Sequence, residues 1–209
     1  MRCFHKSSEP DTFKIWKRAN PTATFATLGN ETNHPIKQAV KTSLLAEQKY
    51  IFCYCENRIN SQNSHIEHLL PQSICPQKQL DYSNLLASCE ADGRKAHCGH
   101  KKAHHLLPIT PLDSVESSQH FIFPADGNIY PRPENNNAAE ITISILGLNA
   151  KRLVNMRKAV ISVFIDLLID SPNERTETLD AVSPSSDNLY EFYSAIKYQI
   201  DQISAPSAS

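Results

Sequence analysis

Glycine is scarce, with five in 209 residues. That leaves little material for a loop that cradles phosphates on backbone amides, and neither such a loop nor an internal repeat occurs. An excess of either charge is also missing. Lys and Arg number 21 against 22 Asp and Glu, for a formal net charge of −1, so any nucleic-acid contact must rest on a local basic patch. Long apolar runs are absent too. The longest, Ala159 to Ile169, is short and contains Asp166, which excludes a membrane-spanning helix of that composition. The opening MRCFHKSSEP has no apolar run behind its early charges, so no export signal is read there and a cytoplasmic protein with reduced cysteines is expected.

What the chain does have is concentrated between Phe52 and His105. Cys53, Cys55, Cys75, Cys89 and Cys98 lie there, as do His65, His68, His97, His100, His104 and His105, out of six cysteines and nine histidines in all. Thiolate, imidazole and carboxylate groups are the ligands of transition metals, and gathering them in one stretch is the usual sequence sign of a metal site.

Residues 1–34 are mixed, with Phe4, Phe13, Ile15, Trp16 and Phe25 as anchors. After Pro35, apolar residues at Ile36, Val40, Leu44 and Leu45 predict an amphipathic helix to about Tyr50. The β-prone run Ile51 to Cys55 and a second strand over Ser64 to Leu70 predict a hairpin across a polar loop. Asp92-Gly93 marks a turn, and a short helix is expected over His97 to Leu106, stopped by Pro108. Further on, Phe121 to Phe123 and Asn128 to Tyr130 flank a Pro-Ala-Asp-Gly turn. Ala138 to Leu146 reads two ways: Ile141, Ile143 and Ile145 alternate like a strand, while Asn137 and Glu140 are spaced as a helix cap pair, and helix is the preferred reading. A long helix is expected from Asn149 to Asp170, then a polar linker over Ser171 to Ser186, then a last helix from Asn188.

Within the metal-rich stretch, Glu67-His68 is followed sixteen residues later by Asn84-Leu85 and sixteen further by His100, in Cys98-Gly99-His100-Lys101-Lys102. This combination resembles an HNH nuclease. Phosphodiester hydrolysis needs a deprotonated water, a cation on the developing charge and help for the leaving oxygen. His68 suits the first need, since a neutral imidazole is a competent base near neutral pH. Glu67 is a hard oxygen ligand for Mg²⁺ or Mn²⁺. His100 and His104 share a helix face and are alternative or joint partners in that metal shell. The Asn84 amide suits holding a loop or the base in orientation. Cys53, Cys55, Cys89 and Cys98 are the candidates for a structural zinc, with Cys75 as a substitute; the bland alternative is that they are small buried hydrophobes. His65, His97 and His105 read as ordinary histidines. Arg94, Lys95, Lys101 and Lys102 form a basic patch for phosphates, or else a solvated charged face.

The runs LLAEQKYIFCYCENRI, HIEHLLPQS, LDYSNLLASC, HCGHKK, ITPLD, DGNIYP and LGLNAKRLVNMR resemble the PtuB family, the HNH effector subunits of Septu anti-phage systems that also accompany certain retrons. The likeness runs from about residue 36 to 170. It implies a prokaryotic defence nuclease acting on nucleic acid, DNA before RNA, beside an ATPase subunit of the ABC/SMC-like class. Two positions depart from the family pattern. Phe52 stands where a first Cys-x-x-Cys ligand is common, and Gly99 stands where the third motif residue often follows its cysteine.

The expected fold is α+β: a mostly helical chain with an embedded ββα-metal unit and a helical C-terminal region. Residues 1–50 would form an N-terminal arm and helix, 51–107 the nuclease unit, and 108–209 a hairpin and helices that dock the partner. The rival reading is a zinc-stabilised nucleic-acid-binding or adaptor subunit without catalysis. An intact base and carboxylate argue against it.

Overall fold

The structure, a computed structural model, describes residues 1–90, 97–113, 119–170 and 189–204. The Asp92-Gly93 turn, Arg94, Lys95, the linker over Ser171 to Ser186 and the Asn188 cap therefore lie outside the described residues.

The N-terminal arm folds. Helix α1 (Asp11–Ala19) follows Pro10, with Asp11 in its first turn and Lys17 and Arg18 in its last, as the helix dipole favours. It buries Phe13 and Trp16, and the Trp16 indole donates to Asn33 Oδ1 at 2.9 Å. A single turn, α2 (Phe25–Leu28), is closed by a Thr24–Thr27 capping box. Helix α3 (His34–Glu47) has Pro35 in its first turn and buries Val40, Leu44 and Leu45, so the periodicity marked its inner face.

The expected hairpin of residues 51–55 with 64–70 does not form. Ile51 makes one isolated bridge to Arg58, and between them the chain closes a tight turn, with the Glu56 amide donating to the Phe52 carbonyl at 2.8 Å and the Phe52 amide to the Asn57 carbonyl at 2.9 Å. Glu56 takes a positive φ of 62° to complete it. The β-prone composition of this run reflects burial: Phe52, Cys53 and Tyr54 are fully enclosed. Instead β1 (Ser64–His68) pairs antiparallel with β2 (Leu85–Cys89), in register Ser64 with Cys89, His65 with Ser88 and His68 with Leu85. No strand is expected at β2 from the sequence. Its sequence, LLASC, is buried at every position and so lacks the alternation that marks a half-exposed strand.

Helix α4 (Cys98–Lys102) packs on β2 and is shorter than the predicted span to Leu106. The order strand, strand, helix thus survives with its strands moved along the chain. The next strands, β3 (Phe121–Ile122) and β4 (Tyr130–Pro131), pair antiparallel around the predicted turn. Helix α5 (Asn137–Leu146) is capped by Asn136, whose side chain accepts from the Ala139 amide, and ends at Gly147 in the left-handed conformation. Helix α6 (Lys151–Asp170) starts after Asn149, but Asn149 does not cap it. Its amide exchanges two 2.8 Å hydrogen bonds with the Ile129 backbone beside β4. Helix α7 (Tyr193–Ser204) packs on α6 through Phe164, Ile196 and Ile200.

These elements make an α+β fold in which residues from Met1 to Ala195 share one hydrophobic core. Two buried polar side chains stitch it. Arg157, fully enclosed, donates to the carbonyls of Gly127 and Leu148 and lies 5.5 Å from the Phe192 ring. Gln48, at the end of α3, completes the outer edge of β2: Nε2 donates to the Ala87 carbonyl at 2.9 Å and Oε1 accepts from the Ala87 amide at 2.8 Å. That amide side chain serves as a one-residue strand.

Replacing it should therefore be costly. Gln48→Ala strands a buried N–H and a buried C=O together, each worth about 1–3 kcal/mol, so urea unfolding is expected to show a loss of about 2–6 kcal/mol. A loss within experimental error of zero would mean that water or a shifted side chain replaces the clamp.

Candidate metal and nuclease site

The tight turn at 52–57, the end of β2 and the start of α4 converge on a buried group of three thiols and one imidazole: Cys55, Cys89, His97 and Cys98. Cys55 Sγ and Cys89 Sγ are 3.7 Å apart, His97 Nδ1 and Cys98 Sγ 3.1 Å, and Cys89 Sγ and His97 Nδ1 3.9 Å. A tetrahedral zinc with Zn–S of about 2.3 Å holds its sulfurs roughly 3.8 Å apart, so these separations suit zinc. Electrostatics point the same way. Burial pushes the Cys55 thiol up, but hydrogen bonding from Cys89, Cys98 and the Asn57 amide outweighs it and holds Cys55 well below the ordinary thiol range. Cys98, buried beside that anion, is pushed well above it. A divalent ion bound here would favour the ionised form of the other thiols as well.

Cys53, expected among the ligands, is not in this group. Alternation around the turn sends it elsewhere, into full burial, with its carbonyl accepting from the Arg2 amide at 2.8 Å. Cys75 is not in it either; it precedes a 3₁₀ turn, Pro76–Lys78. His97, read from sequence as ordinary, supplies the fourth position. Phe52 is buried in the core, and the imidazole beside Cys98 stands in for the ligand that Phe52 cannot give. Adjacent Cys and His was the only sequence signal for it.

The hairpin beside this cluster carries the proposed nuclease residues. His68, at the end of β1, is buried with its ring edge-on to Phe25 at 4.5 Å. Its Nε2 lies 2.9 Å from the Gln79 carbonyl and its Nδ1 3.3 Å from Gln72 Nε2. A carbonyl only accepts, so Nε2 carries the proton and Nδ1 is the basic nitrogen. Burial lowers the imidazole's pKa against the pull of the Gln79 bond, which keeps it neutral. Asn84 is buried and pins the long connection between the strands: Oδ1 accepts from the Leu70 amide at 2.7 Å, and Nδ2 donates to the carbonyls of Leu70 and Lys78 at 3.1 and 3.2 Å.

Glu67 lies on the opposite face of β1 from His68, turned toward α4. Neither carboxylate oxygen accepts a hydrogen bond, and Lys102 Nζ stands 3.5 Å from Oε1. Burial raises its pKa against the Lys102 ammonium. A Cβ on residue 99 would overlap this carboxylate and the Ser88 hydroxyl, so Gly99 is the space into which Glu67 reaches. That accounts physically for the departure at position 99.

The structure does not bring Glu67, His100 and His104 together as one shell. His104 is exposed, 3.1 Å from Ser73 Oγ. His100 instead joins His65 and Glu90 in a second cluster of potential ligands. Glu90 was missed, and His65 was read as a mere neighbour, because only the antiparallel register puts residue 65 opposite 88 and hence beside 90. The basic patch is also altered. Lys102 is buried and donates to the His68 carbonyl at 2.9 Å; its short helix turns it inward. Lys101 is exposed, as is His105.

No helix among the described residues is long and apolar enough to cross a membrane. No family model matches the chain. Two curated proteins resemble it. One, from Vibrio cholerae serotype O1 biovar El Tor, is named as a candidate HNH endonuclease of retron Vc95; it is 31% identical over 163 residues, covering 74% of this chain and 79% of that protein. The other, from Escherichia coli, is named as a candidate HNH endonuclease of retron Ec83, with 24% identity over 210 residues, 78% of this chain and 80% of that protein.

Elemental analysis should separate the two ligand sets. The full chain is expected to carry about one zinc per molecule, as a closed tetrahedral site does. Cys53→Ala should keep it, whereas His97→Ala and Cys98→Ser should shed zinc and melt at lower temperature. Zinc retained in His97→Ala and lost in Cys53→Ala would return the fourth position to Cys53.

Proposed function

The chain belongs to the family of candidate retron HNH endonucleases represented by the Vibrio cholerae relative, and on that premise we propose that it is a metal-dependent endonuclease hydrolysing DNA phosphodiester bonds. The observation that carries this is the arrangement at His68: a neutral, tautomer-fixed imidazole at a strand end, held on a loop that a buried asparagine pins. In this reading His68 Nδ1 takes the proton of the attacking water, and the Gln72 amide stands where that water would approach. The Gln79 carbonyl keeps the other ring proton in place and stabilises the imidazolium that forms. Asn84 contributes by position alone, fixing both ends of the connection on which Gln72 and Gln79 sit.

A bound divalent cation, Mg²⁺ or Mn²⁺ in the first instance, supplies Lewis-acid charge on the phosphate. The donors available for it lie on the α4-facing side of the hairpin: His65, Glu90 and His100, with the Glu67 carboxylate buried beside them against Lys102. The cysteine cluster fits zinc, which ties the hairpin to α4. Lys101 and the basic residues Arg94 and Lys95 are proposed phosphate contacts.

His68→Ala is expected to lower cleavage by well over ~10²-fold, the usual size of a general-base contribution, while zinc content and melting temperature stay unchanged. RNA and DNA substrates assayed side by side give the substrate class. Undiminished cleavage by the variant would remove His68 from the reaction, and absence of cleavage by the wild type on either substrate would favour an adaptor role.

The resemblance to PtuB extends the proposal to a partner, an ATPase subunit of the ABC/SMC-like class in an anti-phage complex. Exposed apolar residues on α6 and just before α7, among them Val163, Leu167 and Tyr190, give such a subunit a surface to cover. Co-expression with an ATPase of that class is expected to yield a stable complex on size exclusion, and Val163→Glu with Leu167→Glu should dissociate it. Separate elution of the two wild-type proteins would refute the partnership.

A further inference from the structure

We propose that His65, Glu90 and His100 form a second metal centre, distinct from the thiolate cluster and open to solvent, that binds a divalent first-row transition ion through two imidazoles and one carboxylate. As the cation site of the reaction this rests on the nuclease reading; as a binding site it does not.

The Glu90 carboxylate reaches both rings at once. Oε1 is 3.3 Å from His65 Nδ1, and Oε2 is 3.3 Å from His100 Nε2. The two rings lie 4.7 Å apart, centroid to centroid, and one donor atom from each residue falls within 4.8 Å of the others. Bonds of about 2.0–2.2 Å from nitrogen and carboxylate oxygen to a central ion need donor separations of roughly 3–3.5 Å. Small rotations of exposed side chains close the difference. His65 Nδ1 is buried and faces Glu90 Oε1, so the ring turns this atom inward to the cluster instead of out to water. The adjacent cation, Lys41, is engaged by the carbonyls of Ser61 and Ser64.

Three different elements present these side chains. His65 sits on β1, and Glu90 follows β2, with its amide donating to the Asn63 carbonyl at 2.9 Å. His100 rides on α4. Two imidazoles and one carboxylate, with remaining positions facing solvent, are the donor set of an open rather than a closed site, and their nitrogen content selects transition ions over Mg²⁺. Glu67 keeps its place against Gly99 and Lys102, beside this centre but not in it.

Cobalt(II) titrated into the zinc-loaded full chain tests the assignment, because a nitrogen–oxygen site gives visible ligand-field bands without the near-ultraviolet charge-transfer absorption of thiolates. Such bands are expected in the wild type. They should need ~10-fold or more Co²⁺ in His65→Gln, Glu90→Gln and His100→Gln, and should be unchanged in His104→Gln and Glu67→Gln. Retained zinc and an unchanged melting temperature certify that each variant folds. Absent bands, bands indifferent to Glu90→Gln, or bands lost in Glu67→Gln alone would overturn the proposal. Cobalt binding as expected in a chain that cuts no nucleic acid would keep this site and remove the nuclease reading. Cleavage by a chain whose Co²⁺ affinity ignores Glu90→Gln would do the reverse.

Discussion

Packing three thiols and an imidazole into a dry interior is the constraint on which the rest of this molecule turns. Cys55 comes from a tight turn, Cys89 from the end of β2, and His97 and Cys98 from the entry to α4. None of these pieces is stable alone: the two strands are five residues each and the helix one turn longer than a cap. A metal ion holding their side chains on one centre would convert three marginal elements into one rigid unit. The unusual conformations nearby are the cost of that convergence, with positive φ at Lys49, Tyr50, Glu56 and Cys98.

Around that unit, polar side chains do the work that a larger sheet would do with backbone. Gln48 caps the free edge of β2, Asn84 closes the connection between strands, and Asn149 pairs with the backbone at Ile129. Each satisfies a buried donor and a buried acceptor from one planar amide, which is why an amide recurs at all three. The hairpin's two faces then carry different sets of candidate groups. One carries His68 and packs toward α2 through Phe25. The other carries His65, Glu67, Ser88 and Glu90 beneath α4, and Gly99 leaves room for the carboxylate.

The sequence made α3 and α6 legible because each has an apolar stripe at helical spacing and starts near a Pro or Asn signal, whereas α5 was marked by its cap residues against a strand-like alternation of isoleucines. It misled at Ile51 to Cys55, where β-branched and aromatic residues mean burial in a turn, and at LLASC, where a strand buried on both faces shows no alternation. The candidates His68 and Asn84 stand out in the sequence because their pattern is a spacing along the chain. His97 and Glu90 do not. Their roles depend on which atoms the register and the turn bring together, and no spacing rule states that in advance.

The Asn84 clamp carries one more implication. Because a single side chain grips the backbone at both Leu70 and Lys78, the peptide between those points is a ring whose closure is already secured, and its tip, with Ile74 exposed, faces outward. Loop-closure entropy grows only by about 0.6 kcal/mol for each doubling of length, so extra residues near Ile74 load the tip and not the strands. Evolution, or a protein engineer, can vary that tip to change what the molecule touches without re-aiming the imidazole at its base.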